Sequence, residues 1–225
     1  MALLKNSRKN SYRNALVANQ MFEHNVHLGN KTTYANPRMH EFIHGISQTK
    51  NCLFNLDLVI ALTRRALAFL TLVKQNNGII LFVSTGPHFR EIVKFIGTTL
   101  NQPYVNMRWF QGLLTNWENM SSLIKLYRLF LSKLDQSKKK KRKMADSLGG
   151  LSKLTELPSA IFLLDLKTDS NIISEAKRLN IPVVALVDND HDIESIDYPI
   201  PINTTSILSV LFFLKLLIVK LERLK

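Results

Sequence analysis

The chain has 225 residues, enough for one hydrophobic core carrying an insertion. Thirty Lys and Arg against seventeen Asp and Glu leave a net charge of +13. Solubility needs far less, so the balance points to a polyanionic partner, either nucleic acid or an anionic membrane surface. A single cysteine, Cys52, excludes an internal disulfide framework and a cysteine-rich zinc site.

Residues 1–26 read as a basic N-terminal tail and short helix. Lys5, Arg8, Lys9 and Arg13 precede the first acid, Glu23. This composition suits a mitochondrial presequence and equally a basic arm on RNA. A helix is expected over 15–23, then a loop from His24 to Pro37. Cys52 to Asn55 reads as a strand. Asp57 is a good N-cap, and apolar residues at 59, 60, 62, 66, 67, 69, 70 and 73 predict a helix to about Lys74. Gly78 ends that unit. Ile79 to Val83 is a continuous apolar run, as in a central strand of a parallel sheet. Ser84 to Pro87 turn the chain into a helix from about His88 to Leu100, and Tyr104 and Val105 start the next strand.

Downstream, Ala160 to Leu164 reads as a strand, 170–179 as a helix and Val183 to Val187 as a strand. Tyr198 to Ile202, with two prolines, makes an edge strand. A helix is expected over 204–224. Its most apolar stretch, Ile207 to Val219, contains Lys215 and falls short of the roughly twenty residues a membrane span needs. Alternating strands and helices predict an α/β fold with a mainly parallel sheet.

Residues 116–148 break the alternation. Met120, Leu123, Ile124, Tyr127, Phe130, Leu131 and Leu134 recur at helical spacing. Lys138, Lys139, Lys140, Lys141, Arg142 and Lys143 follow, and a second short helix is expected from Met144. The segment reads as an inserted helical hairpin with a basic tip. It divides the α/β domain into a first part, 27–115, and a second part, 149–225. Six adjacent like charges repel one another, so the tip is solvated or meets phosphate.

Catalytic chemistry finds little to work with. The turn after Val83 holds one glycine, Gly86, so both the dinucleotide and the P-loop fingerprints are missing. Asp188, Asp190 and Asp192 alternate after a strand and could ligate a hard cation, but such loops more often cap and turn. His24 with His27, and His40 with His44, have zinc-like spacing in a region without cysteine. Tyr104 to Phe110 mixes aromatic, amide and cationic groups of the kind that stack on bases and bond phosphate; the alternative is a core strand followed by a packed tryptophan.

Several segments together resemble the family of the second protein of the small ribosomal subunit. They are His27-Leu28-Gly29, Asn36-Pro37-Arg38-Met39, Ile80 to Thr85, Tyr104 to Trp109 with Gly112 to Asn116, Leu148-Gly149-Gly150, Leu157-Pro158, Asp165, Ile181 to Asp188, and Ile196 to Asn203. The resemblance implies a flavodoxin-like parallel sheet flanked by helices, with a protruding hairpin, and a role without catalysis. It implies small-subunit ribosomal RNA and neighbouring small-subunit ribosomal proteins as partners. In bacteria these include the large messenger-binding ribosomal protein. No membrane, no self-assembly and no cofactor are expected, apart from Mg2+ shared with RNA.

The sequence departs from the family pattern at Asn30, where histidine is usual, at Ala35 for tryptophan, around Gly86-Pro87 for lysine, and at Gln111 for glycine. The hairpin is also shorter. With the basic, Asn-rich composition, these departures point to a mitochondrial ribosome, with a plastid one as the alternative. The residues expected to meet RNA are Arg8, Lys9, Arg13, His27, Lys31, Arg38, Arg108, Trp109 and the tip Lys138, Lys139, Lys140, Lys141, Arg142 and Lys143.

Overall fold

The computed structural model describes residues 17–132 and 148–223. The basic tail with Arg8, Lys9 and Arg13, the lysine run 138–143 and the helix expected from Met144 lie outside them.

Two sheets form the frame. The larger has five parallel strands in the order β5-β4-β6-β7-β8: β4 (Ile80–Val83), β5 (Tyr104–Val105), β6 (Ala160–Leu163), β7 (Val183–Val187) and β8 (Tyr198–Pro201). Counted among themselves, these strands run 2-1-3-4-5, the flavodoxin-like order. Every residue of β4, β6 and β7 is buried, which is why their sequences are unbroken apolar runs. Pro199 and Pro201 fall on the edge strand β8, where a missing N–H is tolerated.

The smaller sheet is antiparallel, in the order β1-β3-β2: β1 (Leu28–Lys31), β2 (Ile43–Ile46) and β3 (Asn51–Phe54). It corrects the sequence reading twice. The stretch from His24 to Pro37 is not a plain loop, because it contains β1. The strand near Cys52 pairs with β1 and β2 and stands outside the parallel sheet. Ile43-His44-Gly45-Ile46 carries no strong strand signal; its ladder to β3 makes it a strand.

Among the described residues the α-helices with a given range are α1 (17–23), α2 (Leu56–Gln75), α3 (Arg90–Thr99), α4 (Trp117–Ser132), α5 (Leu166–Arg178) and α6 (Ile207–Glu222). The cap of α2 is Asn55, not Asp57: the Asn55 side-chain oxygen accepts from the Asp57 N–H at 3.1 Å. Asp57 sits in the first turn, where a negative charge meets the helix dipole. The unit ends one residue before Gly78, because Asn77 takes the left-handed conformation (φ +57°). Asn25, Asn101 and Asn180 do the same after α1, α3 and α5. Asparagine tolerates that region better than other side chains, and this chain uses it where glycine is common.

The crossover β4–α3–β5 steps in the opposite direction along the sheet from β6–α5–β7. Right-handed crossovers therefore place α3 and α5 on opposite faces. The helix α6 packs against both α2 and α3 and so shares their face. Phe213 of α6 stacks on Phe162 of β6, with centroids 5.8 Å apart, and Phe162 meets Phe82 of β4 at 5.5 Å. This aromatic column is the centre of the core. Arg128 of α4 donates to the carbonyls of Ser152 (2.6 Å) and Leu154 (2.9 Å), tying α4 to the 3-10 turn Gly149–Lys153 where the chain returns.

Candidate nucleic-acid interface

All strands of the large sheet run one way, so the segments after β4, β5, β6 and β7 gather at one end. Of the residues singled out from the sequence, His27, Lys31, Arg38, Arg108 and Trp109 are described, and they fall at this end in two groups. The first is the small sheet, anchored behind β7. The second is the segment after β5. Three strand spacings, roughly 14 Å, separate β5 from β7.

The small sheet is held by Asn189. Its side-chain oxygen accepts from the Asn30 N–H at 2.6 Å, and its amide donates to the Asn30 carbonyl and to Cys52 Sγ, both at 3.3 Å. Its carbonyl accepts from the Asn36 N–H at 2.8 Å. A Cβ at Gly29 would lie 2.9 Å from Asn189 Oδ1, so this close approach needs glycine. Asp188 is fully buried beside it and accepts from the N–H groups of Asn189 (2.8 Å), Asn30 (3.3 Å) and Thr204 (3.2 Å), and from the Thr204 hydroxyl (3.3 Å). Burial pushes its pKa up and the nearby Asp190 adds to this; the backbone N–H groups pull the other way, and the net is a rise to about 6.

The three alternating aspartates therefore do different things. Asp188 organises the buried junction. His191 Nε2 lies 3.7 Å from Asp190. Asp192 points outward, 2.8 Å from Arg38. Among the described residues no group of three or more His, Cys, Asp or Glu is placed to hold a metal. A cavity of about 260 Å³ lined by Lys177, Asn180 and Asp197 opens at the other end of the sheet, near the start of β7. It is remote from the strand ends where ligands of this fold class bind.

His27 is half-buried and stacks on Phe22 with centroids 4.0 Å apart and planes 8° from parallel. Desolvation lowers its pKa, which favours the uncharged ring, a group that offers stacking and hydrogen bonding. Lys31 is exposed at the end of β1. Arg38 is exposed but already faces Asp192 and Glu194 at 2.8 and 2.6 Å. The carboxylates raise the Arg38 pKa, and the hydrogen bond from Arg38 depresses that of Asp192.

The second group is locked from α5. The carboxylate of Glu175, 7% exposed, accepts from Trp109 Nε1 (2.9 Å), the Gly112 N–H (2.9 Å) and the Leu114 N–H (3.1 Å). Gly112 has φ +84°, a conformation that glycine enters without strain. Trp109 is thus half-buried with its N–H committed, while its neighbour Arg108 is exposed. Upstream, the Tyr104 ring sits between two glycines: a Cβ at Gly97 would come within 2.5 Å of it, and one at Gly150 would collide with both the ring and the Tyr104 carbonyl oxygen.

Asn189 and Glu175 were not among the residues singled out from the sequence. Glu175 lies mid-helix with no motif around it. Asn189 reads as one more loop residue. Neither has a sequence signal, because each acts on backbone groups brought from 60 or more positions away.

The sequence pattern described as Ribosomal protein S2 matches residues 21–222. The chain is 35% identical over 209 residues to the small ribosomal subunit protein uS2 of Ehrlichia ruminantium (strain Gardel), covering 88% of this chain and 73% of that protein. It is 36% identical over 208 residues to the protein of the same name from Neorickettsia sennetsu, covering 87% and 70%. For that of Anaplasma marginale the figures are 38% over 206 residues, covering 86% and 63%. A match across nearly all of the described residues, on a flavodoxin-like sheet, identifies the chain as a member of the ribosomal protein S2 family.

Proposed function

We propose that this protein works in the mitochondrial small ribosomal subunit, where it lays the strand-end face of its sheet on ribosomal RNA. As a member of its family it is a structural constituent of the small subunit and not an enzyme. The rickettsial relatives fit an alpha-proteobacterial, hence mitochondrial, origin, and the basic, Asn-rich composition agrees with it.

One observation supports the RNA-facing surface above the others. Two buried acceptors, Asn189 and Glu175, hold two separate segments at the same end of the sheet. They leave Lys31 and Arg108 exposed there. Fixed cations on a rigid frame neutralise phosphates at little ordering cost. His27, stacked on Phe22, adds an aromatic ring to the small-sheet group. Trp109 acts chiefly by positioning Arg108, since its N–H is taken. The basic tail and the 138–143 run add phosphate contacts without base preference. Other ribosomal proteins of the small subunit are its neighbours on the remaining surfaces.

Gradient sedimentation of mitochondrial extract at physiological salt tests the assignment. The chain should travel with the small subunit. Migration at the position of the free protein would sink it.

A further inference from the structure

Helix α6 is apolar all round. Apart from Ser209, Lys215, Lys220 and Glu222, every residue from Ile207 to Glu222 is hydrophobic. A helix of this kind is normally buried on every side. Its inner face is: Val210, Phe213, Leu214, Leu217 and Leu221 pack into the core. Its outer crest is not. Leu208 is 56% exposed, and Ile207, Leu211 and Val219 are also open. The helices on either side continue the surface, with Leu72 of α2 58% exposed and Phe95 of α3 61% exposed. Seven of the thirteen large exposed hydrophobic side chains among the described residues lie on these three helices. Apolar groups concentrated on one layer mark an interaction surface, whereas scattered ones do not.

We infer that the outer face of the α2–α6–α3 layer is the docking surface for a neighbouring protein, one that presents an apolar segment flanked by acidic residues. This rests on the ribosomal assignment above and specifies one of the protein neighbours it requires. The charges select the partner. The three helices carry five exposed cations, Arg64, Arg65, Lys94, Lys215 and Lys220, against three exposed acids, Asp57, Glu91 and Glu222. The Lys215 ammonium lies within the apolar crest, where a partner carboxylate meets it in a desolvated setting. RNA is disfavoured because the crest of α6 offers phosphate one cation among four apolar groups. A second copy of the chain is disfavoured by the net charge of +13 on each.

The test uses the full chain with Leu211→Cys or Phe95→Cys, both exposed positions at which cysteine leaves the core untouched. The native Cys52 is buried and stays silent. Maleimide labelling is compared between the free chain and gradient-purified small subunits, before and after ribonuclease trimming. A benzophenone maleimide then identifies the neighbour. The expected result is labelling at least tenfold slower in subunits, unchanged by ribonuclease, with cross-links to a protein segment of apolar residues flanked by Asp or Glu. Equal labelling in both states, protection lifted by ribonuclease, or cross-links to RNA, lipid or a second copy would overturn the inference while the chain still sediments with the subunit. A chain absent from the subunit peak defeats the assembly assignment itself, and this surface with it.

Discussion

The carboxylate of Glu175 on α5 accepts the indole N–H of Trp109 at 2.9 Å, across 66 positions of sequence. The same carboxylate takes the backbone N–H groups of Gly112 and Leu114. One buried side chain therefore sets the course of the whole segment after β5. Glu175→Ala leaves three shielded donors unpaired, at about 1–3 kcal/mol each before relaxation. The expected loss is about 4 kcal/mol in a urea titration. Trp109→Phe removes one donor and its own hydrogen bond together, so it should cost less than half as much. Equal losses would mean that the contact is packing alone.

Tyr104 is wedged between Gly97 of α3 and Gly150 of the 3-10 turn, and the two glycines differ in what they face. A methyl group at 97 meets the Tyr104 ring; one at 150 also meets its carbonyl oxygen. Each alanine substitution should destabilise by about 2–3 kcal/mol through overpacking. Adding Tyr104→Leu should recover part of the loss in Gly97→Ala, since it removes the planar ring that comes closest while Cβ and Cγ stay at 2.9 Å, and little in Gly150→Ala, because backbone cannot step aside. Comparing the melting temperatures of the two double variants checks this.

Asn189 joins the small sheet to the end of β7 through Asn30, Asn36 and Cys52. Asn189→Ala removes the side-chain bonds and should cost about 2–3 kcal/mol. Loss of the tether should act locally. Hydrogen exchange should speed up in β1 and β3 and stay slow in β4, β6 and β7. Uniform acceleration over both sheets would contradict the tether.

Asp188 links stability to pH. Its folded pKa is raised to about 6, chiefly by burial. The native state therefore holds this proton more tightly than the unfolded chain, for which about 3.9 is normal. The stabilisation from that proton is complete below the unfolded value and is lost as pH rises through 6. Asp188→Asn mimics the protonated form at every pH. The destabilisation it causes should shrink by about 2 kcal/mol between pH 4 and pH 7. Urea midpoints of both proteins across that range give the answer; parallel curves would refute the raised value.

Arg108 and Arg38 should differ as RNA contacts, although both are exposed. Arg38 already faces two carboxylates. Phosphate must compete for it, and so its removal costs little binding. Arg108→Ala should lower the slope of log K against log salt by about 0.9 on a small-subunit RNA fragment. Arg38→Ala should change it by less than half of that. The reverse ranking would move the proposed contact surface toward the small sheet.

The strands at the centre were legible because a strand buried on both faces must be apolar throughout, and Ile80 to Val83, Ala160 to Leu163 and Val183 to Val187 are. Helix α2 was legible from its period, and β8 as an edge from its prolines. The β2 strand was not, since Ile43-His44-Gly45-Ile46 is a strand only because β3 lies beside it. Helix α5 begins at Leu166, four residues before its expected start.

The sequence by itself determined the fold class, the family and the excess of positive charge, because apolar period, motif order and composition are local or additive properties. Only the tertiary structure decided which cations are available and what holds them. Arg38 is paired with acids 154 and 156 positions away, Trp109 is committed to Glu175, and the alternating aspartates, whose spacing allowed a cation site but more often caps and turns, are divided between a buried junction and a surface ion pair. Hydrogen bonds and burial depend on which distant groups the fold brings together, and no run of neighbouring residues encodes that.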